Sequence, residues 1–415
     1  MSDARATLNS ASPPVATAMT PTELRASFSL ASIFALRMLG LFLILPVFAI
    51  EAAHYPGGDD AAMVGLTMGI YGLTQACLLF LYGWASDRLG RKRVIVFGLL
   101  IFAAGSLIAA AAPSLFWLAV GRAIQGAGAV SAAVTALLAD QTRDEVRTKS
   151  MALVGGSIGL MFALSLVAAP ALAAWGGLAG IFTLTGALAL LGVVAMIWWV
   201  PPEPLQHKNQ PRGKVIDVLK LPALLRLNFG VFVLHAVQLA MWLALPAMLV
   251  QAELPRAQHW HVYLPAVLGS FVAMGGSLFQ LEKRGYLRGV FLTSIGLLAA
   301  VQATLWFIVD LQPGVLGLGA LLFVFFYGFN VLEASQPSMV SRLAPASVRG
   351  SAIGVYNTLQ SLGFFAGGLA GGWLMKHGGA GTLFGACGAA MVVWLLVAWP
   401  MRPVAAKLST APAKA

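Results

Sequence analysis

Gly83-Trp84-Ala85-Ser86-Asp87-Arg88-Leu89-Gly90-Arg91-Lys92-Arg93 closes one apolar run, 61–84, and leads into another, 94–112. Its cluster of cations is costly to hold in hydrocarbon. Each flanking run has about the 20 residues a helix needs to cross roughly 30 Å of it. The stretch therefore reads as a membrane-surface turn between two spanning helices. The same alternation extends both ways, with further apolar runs at 28–50, 116–138, 150–174, 178–200, 228–250, 262–281, 287–309, 313–336, 351–375 and 380–400, twelve expected spans in all. Composition agrees: 59% of residues are hydrophobic, 10% are charged and the mean hydropathy is +0.84, whereas a soluble domain is roughly a quarter charged.

The cations orient this bundle, because basic loops stay on the cytoplasmic side. With the N-terminus inside, the turns and tails of that side carry 22 of the 26 Lys and Arg residues; the opposite side carries Arg256 and Lys376, and Arg37 and Arg122 lie within spans. The formal charge of +11 thus records orientation and contact with the lipid bilayer rather than nucleic acid, for which no motif is present. Cys77 and Cys387 both fall in spans, so no disulfide framework is expected. The polar start gives no sign of a cleavable signal. Thr20-Pro21-Thr22-Glu23 has the form of a capping box with proline at the first helical position, so the first helix should begin ahead of the bilayer core.

The organisation expected is an N-terminal tail, 1–27; a six-helix bundle, 28–200; a basic linker, 201–227; a second six-helix bundle, 228–400; and a C-terminal tail, 401–415. Two signals argue that the halves repeat. Asp87-Arg88-Leu89-Gly90 is echoed by Glu282-Lys283-Arg284-Gly285, displaced by 195 residues, and Val146-Arg147 by Val348-Arg349, displaced by 202. Parallel halves of this kind place a substrate site at their interface near the midplane.

Gly83, Asp87, Arg88, Gly90, Arg91 and Lys92 fit the pattern G-x-x-x-D-R-x-G-R-K of the major facilitator superfamily, which the chain resembles. The glycines suit a tight turn and close helix approach. The resemblance implies a charge latch in which Arg91 reaches a carboxylate, here Asp140, while Asp87 lies near a helix N-terminus. Arg122 and Gln125 with Gly126 resemble the family motif R-x-x-Q-G, and sit three apart on one helical face. No acid lies at membrane depth in the first half, so Gln and backbone carbonyls are the expected partners of Arg122. Ser165, Ala169, Pro170, Ala173 and Ala174 resemble an antiporter motif whose glycines are replaced by Ser or Ala. The stretches 35–40, 69–75 and 330–333 resemble the YajR-type branch, which carries a soluble C-terminal domain, whereas this chain stops about fifteen residues after its last span. The resemblance implies an all-α membrane protein of twelve helices, a drug/proton antiporter working by alternating access.

Of the fifteen acids, only Glu333 lies well inside a span. Counted from Arg342 it is nine residues in, and His235 is nine in from Arg226, each roughly 13 Å deep. Desolvation disfavours a charged carboxylate there, and His titrates near neutrality, so the pair is the expected proton-coupling site. A static pair that only holds helices together uses the same residues. Arg37, 198 residues before His235, is a candidate counterpart in the first half. Tyr71, Gln75, Tyr327, Asn330, Tyr356, Asn357 and Gln360 are candidate cavity residues for a small-molecule substrate.

The chain shows no nucleophile–base motif, metal-ligand spacing or cofactor signature, so neither an enzyme nor a cofactor-bearing protein is expected. Proton symport of a nutrient, and a non-transporting sensor, are the alternatives. A monomer is expected.

Overall fold

The computed structural model describes residues 18–128, 130–203, 215–345 and 348–401. The middle of the expected linker and most of both tails lie outside the described residues. Thirteen α-helices are described: α1 Pro21–Phe42, α2 Phe48–Glu51, α3 Ala61–Leu89, α4 Arg91–Ala110, α5 Leu115–Ala127, α6 Ser131–Asp140, α7 Asp144–Trp198, α8 Val215–Leu219, α9 Pro222–Gln251, α10 Trp260–Lys283, α11 Leu287–Ile308, α12 Val315–Leu343 and α13 Arg349–Ala398.

Among the described residues, ten helical segments are long and apolar enough to cross a membrane. Two of them, within α7 and α13, run for 54 and 50 residues, far beyond one bilayer. Each is broken by a glycine with positive φ, Gly177 (58°) and Gly379 (69°). Counted as two each, they bring the ten to the twelve expected. These glycines are 202 residues apart, and Gly90 (φ 95°) and Gly285 (φ 82°) are 195 apart. The repeat offsets read from loop sequences thus reappear as matched turns that require left-handed backbone. A third match is chemical. Lys92 Nζ donates to the Val200 carbonyl at 2.9 Å, and Arg288 Nε to that of Met401 at 2.6 Å, so in each half a cation satisfies the carbonyl end of the last helix.

Local signals place several boundaries. The Thr20 hydroxyl accepts from the Glu23 amide at 3.2 Å, and the Glu23 carboxylate accepts from the Thr20 amide at 2.8 Å, closing the capping box. The first span corrects the expectation of a helix to residue 50: α1 ends at Phe42, four residues before Pro46, whose ring clashes with the carbonyl one turn back. The fourth span is likewise two helices, α5 and α6. Gly128 lies so close to the Gly98 carbonyl and Phe102 that an added Cβ would come within 2.5 Å of the former.

The halves meet along a glycine seam. A Cβ on Gly65 of α3 would fall 2.2 Å from the Gly368 carbonyl of α13, and one on Gly72 2.4 Å from that of Ser361. Lipid tails supply no hydrophobic drive between helices, so this close approach and its dispersion contacts do the holding. Phe162 of α7 reaches Phe326 of α12 at 5.7 Å between ring centroids. Among the described residues two ion pairs also cross, away from the Arg91 turn: Asp60–Lys376 at 2.8 Å and Glu51–Arg256 at 3.4 Å.

Candidate functional site

Three helices of the second half converge on one polar cluster. His235 comes from α9, Glu333 from α12 and Gln360 from α13. His235 Nδ1 lies 2.9 Å from the Val231 carbonyl, which can only accept, so Nδ1 carries a proton. In the neutral ring Nε2 is then an acceptor, and it takes the Gln360 amide at 2.8 Å. The same amide nitrogen donates to Glu333 Oε1 at 3.2 Å. The other carboxylate oxygen, Oε2, is 3.4 Å from His235 Nε2 and is enclosed without a hydrogen bond. Edge-on rings of Phe364 (4.8 Å) and Phe329 (5.8 Å) wall the imidazole, which is 2% exposed. The Glu333 side chain as a whole is 38% exposed. The acid is thus open on one side and sealed where it faces the imidazole.

This arrangement has a chemical consequence. A proton added to His235 Nε2 removes the acceptor that the Gln360 amide uses and creates a donor facing the unsatisfied Oε2. A proton added to Oε2 can instead be donated to neutral Nε2. Either event rewires the links among α9, α12 and α13.

Asn330 and Tyr327 turn elsewhere. Asn330 Nδ2 donates to Ser270 Oγ at 2.9 Å, and the Tyr327 hydroxyl meets Ser277 Oγ at 2.8 Å, tying α12 to α10. Tyr356 is buried with its hydroxyl unpartnered, and Gln75 and Asn357 are half-buried.

In the first half, Arg37 and Arg122 are 2% and 3% exposed. Arg122 donates to Gln125 Oε1 at 2.6 Å and to the Met68 carbonyl at 3.2 Å; Gln125 in turn donates to Ser106 Oγ at 2.9 Å. Arg37 donates to Ser131 Oγ at 3.2 Å and to the Tyr71 hydroxyl. The Tyr71 ring lies 5.0 Å from the Arg122 guanidinium. One tyrosine therefore meets one cation with its oxygen and the other with its π face. Ser106 and Ser131 complete these networks; isolated serines in apolar spans give no periodic signal by which the sequence could single them out.

At the α3–α4 turn, Arg91 bonds Asp140 and lies 3.4 Å from Asp87. Two other members of the expected latch stand apart. Arg88 stacks on Trp84 at 4.4 Å, and Gly83 has nothing within 4 Å of where a Cβ would sit, so it supports no close helix approach. Gly90 provides the turn through its positive φ. Glu203 caps the new helix, accepting from the Lys92 amide at 2.5 Å. A second ionic clasp carries no motif in the sequence: the Glu23 carboxylate takes Arg143 Nε at 2.8 Å and Nη2 at 3.0 Å, an interaction that raises the pKa of the Arg143 guanidinium. Among the described residues no group of three potential metal ligands assembles.

The sequence profile described as Major Facilitator Superfamily matches residues 30–368 and, in a second match, 282–415. The inner membrane transport protein YajR of Escherichia coli (strain K12) is 41% identical over 390 residues, 92% of this chain and 85% of that protein. The multidrug resistance protein MdtH of Cronobacter sakazakii (strain ATCC BAA-894) is 26% identical over 364 residues, 83% of this chain and 85% of that one. The crystal structure of a D-xylose-proton symporter shares the fold, with a TM-score of 0.75 at 14% identity over 91% of this chain and 98% of that one. A multi-pass helical membrane protein with these relatives and this architecture belongs to the major facilitator superfamily.

Proposed function

We propose that this transporter is a proton-coupled antiporter that exports small amphipathic compounds by alternating access, from a bacterial inner membrane, with both termini cytoplasmic. The observation that carries the reading is the His235–Glu333–Gln360 cluster. It joins a half-open carboxylate to a sealed imidazole across three helices, so that proton occupancy and helix arrangement share the same hydrogen bonds. The rest follows from that centre. Glu333 takes the proton, and His235 relays it or sets its hold. Arg91 and Asp140 latch the cytoplasmic face, toward which the basic loops point. The two bundles, 28–200 and 228–400, rock about the α3–α13 seam, with Arg37, Gln75, Arg122, Gln125, Tyr327, Asn330, Tyr356 and Gln360 around the path between them. Export is favoured over symport by the small-residue motif around Pro170 and by the multidrug resistance named for a relative. The test is substrate-evoked proton movement: purified protein in liposomes holding a pH-sensitive dye, screened against amphipathic compounds. Release of lumenal protons coupled to compound uptake supports antiport. Co-movement in one direction supports symport, and compound flux indifferent to a pH gradient contradicts proton coupling.

A further inference from the structure

The geometry points to an anionic-phospholipid site on the outer surface of the first half, where α4 meets the end of α7. Two recesses adjoin there and share Lys92 and Ile197. One, of about 550 Å³, is lined by Arg25, Lys92, Trp198 and Val200 among others. The second, of about 490 Å³, runs along the bilayer side between Val96, Phe97 and Leu100 of α4 and Met196 and Ile197 of α7, with Lys92 and Arg93 at its mouth. A recess that carries two cations thus adjoins an apolar groove.

Two of the three cations are held in place. Arg25 donates through Nε and Nη2 to the carbonyls of Trp199 (2.9 Å) and Trp198 (3.3 Å), which leaves Nη1 to point elsewhere. Lys92 Nζ spends one of its three donors on the Val200 carbonyl. Arg93 is exposed. Glu203 answers one of the three charges from the α4 N-terminus, so the recess keeps a positive excess. Trp198 and Trp199, 73% and 65% exposed, mark the headgroup level.

These features select the occupant. A soluble phosphate has no use for the apolar groove. A zwitterionic headgroup brings its own cation against three others. A phosphodiester headgroup of net negative charge with an acyl chain along Phe97 and Ile197 satisfies both recesses, as basic pockets between membrane helices do for acidic lipids. Because Lys92 and Arg93 directly follow Arg91, an occupied site braces the turn that holds Arg91 against Asp140.

Native mass spectrometry of the detergent-purified protein with phosphatidylglycerol or phosphatidylcholine of matched chains tests this. One phosphatidylglycerol should be retained under conditions that strip phosphatidylcholine. Arg25→Gln/Arg93→Gln should weaken that retention about thirtyfold, while Lys220→Gln/Arg284→Gln, removing two exposed cations elsewhere, should leave it unchanged. If the first double variant does not fold, Arg93→Gln/Phe97→Ala, which spares the α7 carbonyl bonds, reads the same loss. Equal retention of both lipids, equal weakening by the control pair, or displacement of the lipid by millimolar inorganic phosphate overturns the site.

Discussion

The Val231 carbonyl decides the state of His235, because a ring that must donate there at 2.9 Å has only Nε2 left to gain or lose a proton. In His235→Gln no imidazolium can form beside Glu333, and the charged carboxylate loses its potential counterion. The pH profile of transport should therefore shift while compound binding persists. A profile that superimposes on wild type, measured by dye-reported exchange across pH 5 to 9, would assign the imidazole a packing role. Arg91 and Asp140, 11% and 32% exposed, are predicted to couple by up to about 1 kcal/mol in a double-mutant cycle of Arg91→Ala and Asp140→Ala on thermal stability. A coupling of zero would show that their contact holds nothing. Charged residues are the most legible at this scale, because an acid or arginine inside an apolar run stands out. Which helix each faces is not. Gln360 is one of several candidate cavity residues in the sequence, and only the packing of α13 against α9 and α12 sets its amide between His235 and Glu333. Arg88 belongs to the latch by its charge and its place in the motif, yet the Trp84 ring beside it offers a cation a face to stack on.

Helices meet here by what they lack. Where α3 meets α13, Gly65, Gly69, Gly72, Gly368 and Gly372 give the opposite backbone room that no other side chain would leave. Gly65→Leu should lower stability by at least about 1–3 kcal/mol, because its Cβ would fall 2.2 Å from the Gly368 carbonyl. Gly276→Ala, with nothing within 4 Å of the new Cβ, should unfold in a thermal-shift assay within a degree or two of wild type. Equal losses at the two sites would mean that the seam is not tightly packed. Spans are readable as elements because an apolar run of about 20 residues matches, as a helix, the thickness of the hydrocarbon core. Their interruptions are less so. Pro46 ends α1 early by a rule visible in the sequence, but the break before α6 depends on how closely α4 approaches Gly128, a tertiary fact. Gly177 and Gly379 are two glycines among 45, and their positive φ emerges only once the helices on either side are placed.

Across the whole molecule the two halves are tied at one end by Asp60–Lys376 and Glu51–Arg256. The Lys376 ammonium holds the Asp60 carboxyl below its ordinary value of 3.8. A depressed carboxyl stabilises the tied form above that ordinary value and loses its contribution as pH falls through the depressed one. Acidification from pH 7 to 5 should thus leave this tie intact, whereas Lys376→Ala should loosen it at every pH above 4. Spin labels replacing Ala61 and His377 would report the change as a longer distance distribution; no lengthening in Lys376→Ala would show that the pair does not restrain the halves. The repeat is legible from two loop matches because turn glycines and surface charges keep their spacing. The face-to-face pairing of the halves is not, since the partners Asp60 and Lys376 are 316 positions apart and nothing in either loop names the other. Glu333 is the proposed proton carrier, and neutral Gln keeps its size while removing titration. In liposomes of verified orientation, Glu333→Gln should abolish pH-driven uphill transport and leave downhill exchange of the same compound, whereas uphill transport and proton flux at the wild-type rate would contradict the account.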